Sequence, residues 1–363
     1  MSSTFDSNLR ISIFGQSHSG GIGCVIDGLP AGERIDMDRL SAFLSRRAPG
    51  KNAWSTPRKE ADLPEFLSGL VDDTTCGAPL SAVIRNTNTR SQDYSELRDV
   101  PRPGHADYTA NCKYHGYQDY RGGGHFSGRI TVALVAAGAI IQSALEKKGV
   151  YVGTHIKKCA DVCDRDFENY VEDIKSLHVA QFSILDENSK EKMLSKTTEI
   201  KANGDSVGGI MQTAIYGVPA GLGEPWFDSL ESMLSHAMFS IPAVKGVEFG
   251  IGFGCADMRG SEMNDEFYVS GESILTKSNN NGGINGGISN GMPIVFNCAV
   301  KPTSSIPRKQ KTVNFIDKYD TEIEISGRHD STIIPRACVV AETLSGIVIA
   351  DLLIGRYGTD YLL

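Results

Sequence analysis

Two stretches of the chain are apolar on nearly every face. TVALVAAGAIIQSALE (131–146) and ACVVAETLSGIVIADLL (337–353) carry no continuous polar stripe. A helix without a polar face has to be covered all round, so both are expected between other layers. The apolar segments at 130–141 and 337–353 are also too short or too interrupted to read as bilayer spans. DMDRLSAFLSRR (36–47) and FDSLESMLSHAM (227–238) instead repeat apolar residues at three and four, the period of an amphipathic helix. Each follows a short strand-like run closed by a Gly-x-Pro-Ala-Gly turn: GGIGCVIDGLPAG (20–32) before the first, GGIMQTAIYGVPAG (208–221) before the second.

The echo continues in order. GAPLSAVIRN (77–86) matches GMPIVFNCAV (291–300), and GHAD (104–107) matches GRHD (327–330). The two long apolar helices then follow. The pattern predicts one large domain, residues 1–363, with related halves at about 9–150 and 205–355, each giving sheet and long helices. Between them, 155–205 is charged and periodic and reads as a solvated helical segment without chemistry.

Composition changes this picture little. The 363 residues carry a net charge of -8, which argues against general nucleic-acid binding but leaves room for a local cationic cleft. The first fifteen residues show no signal-peptide pattern, and the eight cysteines form no zinc pattern, so reduced thiols, a cytoplasmic setting and no metal are expected.

Candidate chemistry concentrates against this acidic background. RPGHADYTANCKYHGYQDYRGGGHFSGR (102–129) holds Arg102, His105, Lys113, Arg121 and Arg129 around Gly122, Gly123 and Gly124, just before the first apolar helix. Glycines let backbone amides approach a ligand, and a helix N-terminus favours an anion. Arg46 and Arg47 end the first amphipathic helix, and Arg58 sits in a proline-bounded loop. Guanidinium forks suit carboxylates and phosphates, although helix-end charge is the ordinary alternative. His18, in GQSHSGG, sits on pliable backbone and is as readily a solvent-facing histidine as a functional one. KPTSS (301–305) offers a lysine and hydroxyls to a phosphate, NNNGGINGGISNG (279–291) is a loop suited to a flat ligand, and GRHDSTIIPRA brings Arg328, Asp330 and Arg336 together. No nucleotide-binding Walker loop or dinucleotide fingerprint is present.

Taken in order, GQSHSGGIGCVIDGLPAG, SRRAPG, RPGHADY, YRGGGHFSGR, DSVGG, VPAGLGEP, AVKGVEFGIGF, GGINGGISNG, KPTSS and GRHD resemble chorismate synthase, from about residue 9 to 353. The resemblance implies a lyase that removes phosphate from 5-enolpyruvylshikimate 3-phosphate by anti 1,4-elimination to give chorismate, the last step of the shikimate pathway. It implies reduced FMN (FMNH2) without net redox change, and a homotetramer supplied by an external flavin reductase or reductant. It implies an α+β sandwich of long apolar helices between antiparallel sheets, in two pseudo-symmetric halves. By motif, His18, His105 and Asp330 would be catalytic. FMN would fall to Ser127, Ala243, Gly286, Lys301, Pro302, Thr303, Ser304, Ser305 and Arg328, and substrate anions to Arg46, Arg47, Arg102, Arg129 and Arg336. Two departures stand out. Many relatives read Gly-Arg-Ser-Ser-Ala-Arg-Glu-Thr where this chain has GHFSGRIT, so His125 is expected to stand in for an arginine at the flavin. Ala53 replaces an arginine linked to nicotinamide binding (NADP) in members that reduce their own flavin. A non-catalytic binder of a phosphorylated metabolite and a different flavin or phosphosugar enzyme are the competing readings.

Overall fold

The computed structural model describes residues 3–48, 62–87, 97–325 and 330–363. Alternating runs build a first antiparallel sheet from β1 (Thr4–Asp6), β2 (Arg10–Gly15), β3 (Gly21–Asp27), β4 (Pro64–Ser68) and β5 (Leu80–Arg85). Its order is β1-β2-β3-β5-β4. The second sheet holds β6 (Tyr151–Cys159), β7 (Val162–Cys163), β8 (Gly209–Tyr216), β9 (Val244–Phe249) and β10 (Ile294–Val300). Its order is β9-β10-β8-β6-β7, again antiparallel.

The helices are α1 (Met37–Arg47), α2 (Asp107–Tyr114), α3 (Thr131–Lys147), α4 (Tyr170–Val179), α5 (Glu187–Ala202), α6 (Leu230–Phe239) and α7 (Ile334–Tyr357). Strand order shows the repeat: β2-β3-β5-β4 in one sheet corresponds to β6-β8-β10-β9 in the other. With α2 inserted in the first half and β7, α4 and α5 in the second, each half otherwise runs strand, strand, helix, strand, strand, helix, so α1 corresponds to α6 and α3 to α7.

The helices form where the sequence signals them. Asp36 caps α1 through the Arg39 amide at 2.9 Å, and Arg46 and Arg47 in its last turn complement the helix dipole. Ser229 caps α6 and Pro335 opens α7. Helix α3 packs on β3 and β5, α7 packs on β6 and β8, and the two helices pack on each other. Both are long and apolar enough to cross a membrane, but their apolar windows are 83% and 94% buried inside the protein. They are core helices, as their lack of a polar face requires. The crossing is close because of glycine: a Cβ on Gly138 would stand 2.5 Å from Thr343 Cβ.

One sequence expectation is corrected. The charged segment from residue 155 is not helical throughout. Residues 155–159 belong to β6, a central strand whose His155 is fully buried and hydrogen-bonded to Asp164 at 2.8 Å. Helices α4 and α5 do follow. Helix α4 covers the outer face of the second sheet through Ile174 and Leu177, packed with Phe167 and Ala214.

Candidate active site

The loops that carry the candidate residues meet where the two halves face each other. From the first half comes the segment 101–107 leading into α2, and from the second the segment 301–305 after β10. Lys301 Nζ donates to the Gly104 carbonyl and lies 3.1 Å from Ser304 Oγ, which donates to the same carbonyl at 2.9 Å. Arg102 Nη1 reaches Ser305 Oγ at 3.1 Å.

The glycine run 122–124 sits between the two histidines. All three residues have positive φ, 58°, 82° and 54°. A Cβ on Gly122 would stand 2.4 Å from His18 Cε1, and one on Gly123 would stand 3.1 Å from His105 Cε1. One on Gly124 would meet the Asp119 carbonyl at 2.1 Å. Glycine is needed here because rings and backbone occupy the space any side chain would fill. These glycines therefore serve the histidines directly, a use that the spacing alone did not show.

His105 is held by charge. Its Nδ1 lies 2.7 Å from Asp107 Oδ1. Arg102 clasps the same carboxylate through Nε and Nη2, both at 2.8 Å. Burial alone would raise the Asp107 carboxyl, but the hydrogen bonds of Arg102 and His105 outweigh it and hold the group well below the usual carboxylate range. Asp119, which lies near His18, is also held low: its hydrogen bonds from Arg121 outweigh the effect of burial.

A second charged cluster is buried behind the ends of α1 and α3. Asp62 accepts from Arg47 Nη1 at 3.0 Å and from Arg129 Nη1. Arg47 also bonds the Gly128 and Arg129 carbonyls. Burial, with Arg129 and Arg336 close by, pulls Arg47 down to about 9 against the pull of Asp62. Arg336, in the first turn of α7, pairs with Asp330. Three guanidinium groups thus face two carboxylates, leaving a positive excess. Arg129 Nη2 is buried and without a hydrogen-bond partner among the described residues. Such a donor costs about 1–3 kcal/mol unless something accepts from it, and an anion would.

Several sequence assignments change. Arg46 is not placed for substrate: it makes a two-pronged pair with Glu342 of α7, both bonds 2.9 Å, and lies buried in the core. Arg102 is committed to Asp107 and Ser305, so it holds the site together instead of offering a free fork. His125, expected at the flavin, spends Nδ1 on the Gly15 carbonyl at 2.8 Å and Nε2 on Ser3 Oγ at 2.9 Å. It fastens the end of β2. Ser127 caps the short turn before α3 through the Arg129 amide. Ala243 accepts from the Lys301 amide at 3.0 Å, which puts it beside the lysine segment. Gly286 lies in the turn between Ile284–Asn285 and Ile288–Ser289, where a Cβ would meet nothing within 4 Å. Arg328, Ala53 and Arg58 lie outside the described residues. Asp62 and Asp107 were missed by the sequence reading. The only signal was their place two to five residues from a histidine or an arginine already singled out, or at the end of the same loop.

The Lys301 segment has the chemistry of a phosphate cradle. Burial, with Lys245 nearby, holds the ammonium below its ordinary value, so an anion beside it would be a welcome counterion. Thr303 Oγ1 is buried with no hydrogen-bond partner among the described residues. The asparagine-rich loop is ordered by Asp265, whose carboxylate accepts from the Asn280 amide at 2.7 Å, the Asn281 amide at 2.9 Å and Ser278 Oγ at 2.6 Å.

Comparison with known proteins agrees on one family. The family model described as chorismate synthase matches residues 9–354. A chorismate synthase of Thermococcus kodakarensis is 42% identical over 348 residues, 96% of each chain. That of Methanosarcina barkeri is 45% identical over 349 residues, 96% of this chain and 94% of the other. A crystal structure of chorismate synthase superposes with a TM-score of 0.76 at 29% identity, covering 97% of this chain and 93% of that one.

Proposed function

This chain belongs to the chorismate synthase family, and from that premise we propose how its residues divide the work. The reaction is a carbon–oxygen lyase step: anti 1,4-elimination of phosphate from 5-enolpyruvylshikimate 3-phosphate, giving chorismate. The substrate is small and carries two carboxylates and a phosphate.

The residues present fit a bound flavin phosphate. Lys301 and Ser304 converge on the Gly104 carbonyl, Ala243 accepts from the Lys301 amide, and the same segment holds the unsatisfied Thr303 hydroxyl. With Pro302 and Ser305 they would hold FMN, and Ser127 and Gly286 complete the assignment by motif. Reduced FMN, when bound, supplies electron density to the reacting ring and takes it back, without net redox change.

This chain's own groups do the rest. Arg47, Arg129 and Arg336 grip the substrate anions, with Arg129 Nη2 supplying a donor already stripped of water. Burying that cationic excess beforehand means that it need not reorganise as phosphate charge develops. His105 donates the proton that the departing phosphate takes up, and His18 serves proton balance on the flavin side. Both are histidines because the group must change charge near neutrality. Asp330, paired with Arg336, takes by motif the role of assisting proton movement on the flavin side. The observation that carries this reading is the packing of His18 and His105 against successive glycines of one loop, Gly122 and Gly123, with Arg102 beside the second.

We extend the reading to partners. An external reductant supplies the reduced flavin, since Ala53 stands where members that reduce their own flavin have an arginine linked to nicotinamide binding. A homotetramer would give exposed apolar side chains a cover: Trp226, Phe227 and Phe253 are 85%, 92% and 82% exposed, and Phe267, Val269 and Ile274 are exposed on the hairpin of residues 267–276. Anaerobic incubation with chemically reduced FMN and the phosphorylated substrate should yield chorismate and one equivalent of phosphate. Absence of chorismate while both ligands bind would leave only a binding protein.

A further inference from the structure

The two nitrogens of the His105 ring have different surroundings. Nδ1 lies 2.7 Å from Asp107 Oδ1 and 3.0 Å from Arg102 Nη2. An ionised carboxylate only accepts and a guanidinium only donates. With Asp107 ionised, Nδ1 therefore carries a proton and gives it to the carboxylate. Arg102 Nη2 then directs its hydrogens to Asp107, at 2.8 Å, and not to the ring. Nε2 points elsewhere. It lies against Gly123, where a Cβ would stand 3.3 Å away, in a cleft also lined by Asp119, Tyr120 and Phe126.

We propose that Asp107 is a positioning residue for the elimination: it fixes the Nδ1–H form of His105 and turns Nε2 toward the reacting phosphate, while Arg102 holds Asp107 in place. The inference rests on His105 being the proton donor. Over the elimination, the ring carbon–oxygen bond breaks with its electron pair leaving on the phosphate oxygen, and a ring carbon–hydrogen bond breaks with its pair going into the new diene, the hydrogen leaving as a proton on the side given above to His18. The Nε2 proton passes to phosphate, and the His105 ring is left neutral with Nδ1–H still on Asp107. The same arrangement orients the histidine of hydrolase triads, where the carboxylate sets the tautomer and never takes the proton itself.

The sequence offers no such reading on its own. In GHAD an aspartate two residues after a histidine is a common helix-start residue, and Asp107 does open α2. Only the fold shows its side chain turned back onto His105 and Arg102.

The test uses the whole protein with Asp107→Asn and Asp107→Glu. The charged or titratable groups around His105 are Asp107 on α2, Arg102 on its own loop, Lys301 through the Gly104 carbonyl, and Asp119 and Tyr120 across the cleft. All but Asp107 stay in both variants. Asp107→Asn should lower the single-turnover rate roughly 10²- to 10⁴-fold. The reason is geometric: without the carboxylate nothing fixes the proton on Nδ1 or holds the ring with Nε2 turned toward the phosphate. Asp107→Glu should recover part of the rate.

Nitrogen NMR of labelled histidine gives a readout independent of turnover, with the His105 signals assigned by their loss in His105→Ala. In the native protein the neutral ring should carry its proton on Nδ1, and in Asp107→Asn that preference should weaken. A native ring protonated on Nε2 would overturn the proposal even if Asp107→Asn failed to fold. So would a folded Asp107→Asn protein that turns over at the native rate. If His105→Ala instead keeps the native rate, the proton-donor reading itself fails, and the ring-nitrogen signals still report whether Asp107 sets the tautomer.

Discussion

At the scale of single residues, the site depends on space that glycine leaves open. The histidines and most arginines were legible in the sequence, because titratable groups in glycine-rich turns stand out from apolar surroundings. Their carboxylate partners were not. Asp62 and Asp107 look like ordinary surface charge until the fold brings Asp62 between Arg47 and Arg129, and Asp107 between Arg102 and His105. His125 shows the opposite error. It looked like a stand-in for a flavin-site arginine, yet both ring nitrogens are used to tie down Gly15 and Ser3. The most direct residue-scale prediction concerns Gly122. An alanine there would put its Cβ 2.4 Å from the His18 ring, at a φ of +58°. The backbone cost is about 1–3 kcal/mol, too little to unfold a domain of this size. The displaced ring matters more, since a misplacement of about 1 Å can cost roughly 10²-fold. Gly122→Ala should therefore keep a folded thermal transition while losing most of its turnover. Native activity in that variant would mean that His18 does not act from the position seen here.

At the scale of elements, apolar pattern was the best guide. Helices α3 and α7 were readable because nothing on them could face water, and α1 and α6 because their stripes were narrow. Strand β6 was hidden: its HIKKC is charged on paper. Yet His155 is buried against Asp164 and Gln212, while Lys157 reaches out to Asp166. Charge that is paired inside a sheet looks the same in sequence as charge in water. The crossing of α3 and α7 gives the prediction at this scale. Gly138→Ala should gain about 0.8–1.0 kcal/mol of helix propensity. It must also push apart backbone that the new Cβ would approach to 2.6 Å at the Thr343 carbonyl. Overpacking of that kind costs about 1–3 kcal/mol. The steric cost outweighs the propensity gain, so Gly138→Ala should unfold at lower denaturant concentration with an unchanged slope. A midpoint equal to or above the native one would show that the helices separate without cost.

At the scale of the whole molecule, the two halves explain why a chain of net charge -8 has a cationic centre. Each half ends a loop beside the start of its long core helix, and the two loops meet. Arg47 and Arg129 come from one half and Arg336 from the other, so the excess positive charge exists only when both are in place. The acid side of stability follows from carboxylates held low. Asp107, Asp119, Asp173 and Asp265 all have folded values below the ordinary range. A depressed carboxylate stabilises the fold above its unfolded value, near 3.9 for aspartate, and that contribution is lost as pH falls through the folded value. The thermal midpoint should hold between about pH 7 and 5 and then fall steeply toward pH 3. A flat profile down to pH 3 would show that these pairs persist in the unfolded chain or contribute nothing.

The central claim is that His105 hands a proton to phosphate at a site built where the halves meet. The measurement that tests it most directly is single-turnover chorismate formation by native protein and His105→Ala, under anaerobic conditions with reduced FMN, beside titrations of both ligands. The account predicts full turnover by the native protein. His105→Ala should be slower by roughly 10²- to 10⁴-fold, with FMN and substrate affinities close to native. Turnover by His105→Ala at the native rate, or a loss that appears only as weaker binding, would contradict it.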